Sequence, residues 1–320
     1  MNAAATAHAL FVEKRRTYIG GTDASAILGL SPWATPLSVY LDKVGQPAER
    51  RETLAMRRGI WNERFIADEF ERARPGFVCY QPKPAIRTDV GFPMGASIDR
   101  MVATVEHPRT PVAILEAKTA FTYTGKRQWD ADNLDLPDHY FIQVQHYLAV
   151  TGLPLAYGVA DVGDPEALTI VPIEADKRVQ QRIIEAEREF WQNHVLMGVA
   201  PEPNGSDADH EALAALWPDT IPDPPLAIED ELSEVILSDY LAHSLKAKQH
   251  GEEAEKAKQR LQALMGEHEA AVVGGWKLTW KPVTSNRIDS KALKAEQPEI
   301  AAKYTKPSVS RRFEVKEISE

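Results

Sequence analysis

Among 320 residues there is a single cysteine, Cys79. One thiol cannot form an internal disulfide, and it cannot supply a zinc or iron–sulfur site built mainly on cysteine. Long apolar runs are missing as well, since none approaches the ~18 residues needed to cross a bilayer as a helix. The opening residues, MNAAATAHALFVEKRR, do not read as a secretory leader, because the apolar part is short and the basic residues follow it. Positive charge is in deficit, with 37 Lys and Arg against 47 Asp and Glu and a net charge of −10. That balance counts against a protein whose main task is coating nucleic acid. It leaves room for an enzyme that gathers carboxylates around metal ions and keeps its basic residues in local patches. These absences predict a cytoplasmic protein with no membrane contact.

What remains is ordinary for a globular chain, 43% hydrophobic and 26% charged, enough to build a sizeable core. Residues 1–205 mix helical and strand patterns. Turn-rich PEPNGSDADH (201–210) and PDTIPDPP (218–225) bracket an expected linker over 206–225. From 226 to 320 the chain reads as an accessory region. Leu241, Leu245, Leu261 and Leu264 recur at wide helical spacing among charges, predicting a helical hairpin or short coiled coil. WKLTWKP (276–282) and RRFEVKEI (311–318) then alternate like two strands.

The chemistry is concentrated at VAILEAKT (112–119). Alternate residues of a strand share a face, so Glu116 and Lys118 point the same way as Val112 and Ile114. Charges on an otherwise apolar strand are paired, bound to a metal or wet. Upstream, FPMGASIDRMVATV (92–105) is a second strand-like segment, and the turn-rich EHPRTP lies between. An antiparallel hairpin centred near 107–108 sets Asp99 opposite Glu116. Two carboxylates beside one ammonium suit metal-assisted phosphodiester hydrolysis. The carboxylates hold Mg²⁺ or Mn²⁺, and the lysine orients or deprotonates the attacking water and offsets phosphate charge. The same pattern also describes a surface salt bridge on a half-exposed hairpin.

Three more segments add candidates. In RRGIWNERFIADEFERA (57–73) a helical stripe of Ile60, Glu63, Ala67 and Phe70 puts a carboxylate on an apolar face. DHYFIQVQHYLAVTG (138–152) reads as a helix with Asp138 as a candidate N-cap after Pro137. Its core stripe is Phe141, Val144 and Leu148, while Gln143 and Tyr147 share another face four residues apart. In RRTYIGGTDASAILGLSPWATP (15–36), Gly20 and Gly21 permit a tight turn into a helix. Its exposed amides, with Thr22, Arg15 and Arg16, would suit a phosphate. Plain capping by Thr22 or Asp23 explains the same residues, and both readings can hold together.

The ordered set GGTDASAILGLSPWATPLSVYLDKVG, GIWNERFIADEF, GASIDRMV, ILEAKT and YFIQVQHYLAVTG, spanning roughly 10–200, resembles the YqaJ family of phage-type recombination nucleases. These are relatives of lambda exonuclease in the PD-(D/E)XK superfamily. The resemblance implies a restriction-endonuclease-like α/β core, a mixed central sheet flanked by helices, followed by a charged helical and short β appendage. It implies metal ligation by Asp99, Glu116 and the Ala117 carbonyl, with Glu63 helping to hold a second ion. Lys118 would assist the water, and Gln143 and Tyr147 would match the QxxxY motif that positions DNA. Thr22 with Arg15, or Arg16 on a one-residue shift, would bind a 5′-phosphate. The implied activity is Mg²⁺-dependent 5′→3′ digestion of linear double-stranded DNA, leaving 3′ overhangs for a single-strand annealing partner. A homotrimer is implied by the same likeness. Two rival readings stay open: a RecB-like structure-specific or single-strand nuclease, and a DNA-binding adaptor without turnover.

Overall fold

The computed structural model describes residues 13–47, 53–121, 127–133, 135–217, 221, 224–306 and 312–316. The chain divides into two compact units, 1–220 and 221–320.

In the first unit a five-stranded mixed sheet has the order β2-β5-β6-β7-β8. Its strands are β2 (Phe77–Tyr80), β5 (Arg100–Thr104), β6 (Pro111–Thr119), β7 (Leu155–Asp161) and β8 (Thr169–Glu174). The pairs β2/β5, β5/β6 and β7/β8 are antiparallel, and β6/β7 is parallel. A parallel neighbour requires a crossover; here helix α4 (Asp138–Thr151) supplies it and ends at Gly152, whose φ of 72° is the left-handed cap that glycine accepts. A smaller sheet joins β1 (Ile19–Gly20), β4 (Met94–Ala96) and β3 (Ala85–Arg87) in the order β1-β4-β3. The expected mixed central sheet flanked by helices is present.

Strand β6 feeds two cores from its two faces. Ala113, Leu115 and Ala117 pack with Ile66 and Phe70 of helix α3 (Leu54–Ala73), which Thr53 caps by accepting the Met56 N–H at 3.2 Å. Ile114, on the other face, packs with Val144, Tyr147 and Leu148 of α4. The same alternation delivers Glu116 and Lys118 to the α4 side. A third core gathers helices α1 (Gly21–Ile27), α2 (Pro36–Lys43), α5 (Lys177–Phe190) and α6 (Asp207–Leu216).

Several expectations are corrected. The segment 92–105 is two strands in two sheets, interrupted at Ser97–Asp99. Where the ladder stops, the Asp99 carboxylate accepts the Ala117 N–H at 2.9 Å. Ile60 is 62% exposed, so the buried stripe of α3 is Ile66, Ala67 and Phe70 with Glu63 at its half-buried end. Asp138 lies inside the first turn of α4, and Pro137 holds the cap position without a side-chain bond. Residues 207–216, expected within a linker, form α6 on the first unit. Ser206 caps it, Ala212 enters the core, and buried Asp209 accepts from the Thr35 hydroxyl.

In the second unit the charged segment is one 35-residue helix, α7 (Glu231–Met265), with Asp230 capping through Ser233 at 2.8 Å. Of the two expectations for this segment, a helical hairpin or a short coiled coil, the hairpin is not formed: the interior break signal is only Gly251, which costs a helix about 1 kcal/mol and does not stop it. Leu241, Leu245, Leu261 and Leu264 are all exposed. Strand β10 (Trp276–Thr279) pairs antiparallel with β9 (Ala270–Val273) through Gly274 and Gly275, both at positive φ as this tight turn requires. The second strand expected, in 311–318, is no strand over 312–316, and its remaining residues lie outside the described ones. Helices α8 (Ser290–Glu296) and α9 (Pro298–Tyr304) follow. Among the described residues no helix is long and apolar enough to cross a membrane.

Candidate active site

The register Arg100↔Leu115, extended by one residue, sets Asp99 across from Glu116. Both carboxylates reach a cleft of about 140 Å³ whose walls also carry Gln143 and Tyr147 of α4, and Arg15 and Thr22 beside the start of α1. A larger, open depression of about 790 Å³ lies along Asp176–Arg182, away from these carboxylates.

Glu116 is almost wholly buried, and its two oxygens are treated differently. Oε1 accepts from Lys118 Nζ at 2.5 Å and from Gln143 Nε2 at 2.6 Å. Oε2 is buried with no hydrogen-bond partner among the described residues. A buried carboxylate oxygen without a donor is costly, and it is the kind of atom a cation would satisfy. Gln143 also donates to the Tyr147 hydroxyl at 3.2 Å, so α4 supports Glu116 through the pair spaced four apart. Ala117 donates its N–H to Asp99. Because the N–H and C=O of a strand residue face the same edge, its carbonyl opens on the Asp99 side.

Charge is out of balance here. Burial raises the Glu116 carboxyl, Asp99 adds to the rise, Lys118 opposes it, and the result is about 7. Glu63 also rises to about 7, by burial and then by the Asp99 charge, which places it in the same electrostatic neighbourhood. Asp99 is raised by burial. Burial pulls the Lys118 ammonium down, but Glu116 and Asp99 outweigh it and hold it above its ordinary value, protonated at neutral pH. Among the described residues no three His, Cys, Asp or Glu side chains converge on a common point. The fit to a divalent cation rests instead on Asp99, Glu116 Oε2 and the Ala117 carbonyl, hard oxygen donors of the type Mg²⁺ takes with water or substrate completing the shell.

At the other end of the cleft, Arg15 donates to Thr22 Oγ1 at 3.0 Å. Gly20 is the N-cap of α1, and Asp23, at its third position, closes the helix start as expected by accepting the Gly20 N–H at 2.9 Å, while Thr22 does not cap. Gly21 touches α4 so closely that a Cβ there would lie 2.5 Å from Tyr147 Cε1 and 2.9 Å from Gln143 Cγ. Arg16 turns away toward Asp42, at 3.7 Å.

Sequence reasoning missed three supports. Lys43, fully buried, bonds Asp23 Oδ2 at 2.6 Å and the Arg15 carbonyl at 3.0 Å, fixing the turn that carries Arg15. Asn62 ties α3 to Thr119 Oγ1 at 3.0 Å and Asp161 Oδ2 at 2.9 Å, and so fixes its neighbour Glu63. His146, beside Tyr147, is clamped between Glu187 at 2.7 Å and the Gly95 carbonyl at 2.9 Å. For Asn62 and His146 a polar residue next to a candidate was the available signal, but the distant partner was not readable, and Lys43 offered no such signal.

The sequence profile of a YqaJ-like viral recombinase domain matches residues 10–154. The YqaJ protein of Bacillus subtilis (strain 168) is 35% identical over 309 residues, covering 96% of this chain and 93% of that protein. The chain belongs to the YqaJ family. Two crystal structures of an alkaline exonuclease from Laribacter hongkongensis, one of them in complex with dAMP, are similar at 16% identity. They cover 58% of this chain and 91% and 92% of theirs, with TM-scores of 0.48 and 0.47. The family match contains Asp99, Glu116, Lys118, Gln143 and Tyr147, while the long charged helix α7 lies beyond its end.

Proposed function

We propose that this YqaJ-family chain is a Mg²⁺-dependent exonuclease that digests linear double-stranded DNA from a 5′-phosphorylated end. It leaves a 3′ single-stranded overhang for an annealing partner in recombination. The observation that carries this is the buried, unpartnered Glu116 Oε2 in a cleft it shares with Asp99 and, at the far end, with Arg15 and Thr22.

Asp99, Glu116 and the Ala117 carbonyl would hold the first cation, and Glu63 would help to hold a second. When bound, the cations supply Lewis-acid polarisation of the scissile phosphate and a more acidic water. The chain's own groups do the rest. Lys118, kept protonated by its carboxylate neighbours, orients the attacking water and offsets charge growing on the phosphate, in preference to acting as base. Gln143 holds Glu116 in place and, with Tyr147, closes the wall against which the DNA strand lies. Arg15, paired to the Thr22 hydroxyl, presents a fork of donors suited to a terminal phosphate. Family likeness extends the proposal to a trimeric assembly.

The test uses linear duplex labelled at one 3′ end, bearing 5′-phosphate or 5′-hydroxyl, with closed circular plasmid as control. With Mg²⁺ the wild type should degrade the linear DNA alone, faster with 5′-phosphate. Lys118→Ala should lose about 10²-fold or more, as removal of a proton-handling or charge-stabilising group does. Equal nicking of the circle would make the protein an endonuclease. Silence with every divalent metal would favour the adaptor.

A further inference from the structure

Next to Lys118 lies a cluster of aromatic rings that the catalytic reading does not use. Tyr140 lies one helical turn before Gln143 on α4, about 5 Å along the axis, and its ring carries Lys118 Nζ at 4.6 Å from the centroid. The His139 ring lies beside Tyr140 at 4.0 Å, tilted by 52°, and Trp129 backs Tyr140 at 5.8 Å. Trp33, in the turn after α1, meets His139 edge-on at 4.9 Å and stands 62% exposed. His139 Nε2 is buried without a hydrogen-bond partner among the described residues.

The placement is ordered. Helix α1 starts against Gln143 and Tyr147, through Gly21, and the chain after its end reaches His139 with Trp33. Arg15 and Thr22 therefore stand at one end of the Asp99–Glu116 site and the rings at the other. Trp33 thus presents an exposed ring on a cluster that adjoins the Lys118 ammonium. A flat, apolar occupant joined to a phosphate suits both the rings and the neighbouring ammonium. Nucleobases stack on such platforms whatever their identity, because each has a π-face.

We propose that Trp33, His139 and Tyr140 form a stacking ledge for the base of the nucleotide on the far side of the scissile phosphate from the 5′-terminal one. This rests on the exonuclease reading above and adds a binding subsite to it. The second nucleotide, held by its base, brings the first bond to the carboxylates and becomes the new terminus after cleavage. Base identity is immaterial to the ledge, and base presence is not.

The experiment compares release of the first nucleotide from a 5′-phosphorylated duplex with release from the same duplex carrying an abasic tetrahydrofuran residue at position two. Wild type should be about tenfold slower on the abasic strand, within what one stacked base contributes. It should be indifferent to which of the four bases occupies position two. Trp33→Ala should be slow on both strands and lose the difference, whereas Trp33→Phe should keep it. A wild type that ignores the missing base, or a Trp33→Ala enzyme that still discriminates, overturns the ledge, because a merely structural role for Trp33 would slow both strands and preserve their ratio. The wild-type arm decides by itself should Trp33→Ala fold poorly. Failure of the exonuclease reading would show separately, as an intact duplex in the unmodified arm.

Discussion

Two buried lysine–carboxylate pairs in the first unit have nearly the same length, Lys118–Glu116 at 2.5 Å and Lys43–Asp23 at 2.6 Å, yet their acids shift in opposite directions. Burial pushes both upward. At Asp23 the Lys43 and Arg15 charges and the Gly20 N–H overcome it, and the carboxyl falls below its ordinary value. At Glu116 the carboxylates Asp99 and Glu63 reinforce burial, and a single lysine cannot offset them. One pair is a closed account of charge that holds a turn together. The other carries surplus negative charge and an oxygen without a hydrogen-bond partner among the described residues, which the proposed cation would satisfy.

The sharpest way to break that contrast is to neutralise each acid. Asp23→Asn leaves the Lys43 ammonium buried without its counter-charge, which costs about 3–5 kcal/mol. A large fall in the urea midpoint is expected, and an unchanged midpoint would deny the structural role. Glu116→Gln removes repulsion along with a ligand. Its urea midpoint without metal should match or exceed wild type, while nuclease activity falls by about 10²-fold or more. Activity that survives this change would remove Glu116 from the proposed metal site.

A smaller effect is expected at the contact joining the two regions. Gly21→Ala would press a methyl into Tyr147 and Gln143. Overpacking of this kind costs about 1–3 kcal/mol, and the displaced Gln143 would release Glu116. Denaturant unfolding and nuclease rate should fall together. A variant as stable and active as wild type would show that α1 and α4 can part without consequence.

The difference between the two pairs also explains what could be read from the chain alone. Asp99 facing Glu116 was legible because a turn-rich hexapeptide and strict alternation fix a hairpin register, and a one-residue slip would turn every side chain over. Gln143 and Tyr147 were legible because four residues make one helical face. The Asp23–Lys43 pair was not, since its partners lie 20 residues apart with no periodic signal linking them. His146 and Glu187, 41 residues apart, likewise carry no linking signal in the sequence, although both are fully buried and bonded to each other. Gln145, buried on the same helix, donates to the Glu174 carbonyl at 2.7 Å. Helix α6 hid among turn formers because Ser206 and Asp209, read as loop residues, serve as its cap and its anchor. Pattern reveals what an element does for itself; distant polar partners become visible only when the elements meet.

The pH dependence of stability separates the two pairs by sign, and it is the gentlest test. Glu116 and Glu63 have an ordinary value of 4.5 and stand at about 7 in the folded protein without metal. Between those values the native state keeps protons that the unfolded chain has lost, so stability falls as pH rises from about 4.5 to about 7 and is level above. Asp23 behaves in reverse. Its contribution is complete above the ordinary carboxylate value and is lost as pH falls through its lowered folded value. Chelated wild type should therefore show a lower urea midpoint at pH 8 than at pH 5. Glu116→Gln should show a smaller difference, with the remainder shared by Glu63, Asp99 and the His146–Glu187 pair, all raised in the folded protein. Magnesium should raise the wild-type midpoint more at pH 8 than at pH 5, because a cation competes with protons for the same oxygens. A midpoint equally insensitive to metal at both values would mean that the surplus charge beside Lys118 is not there to receive one.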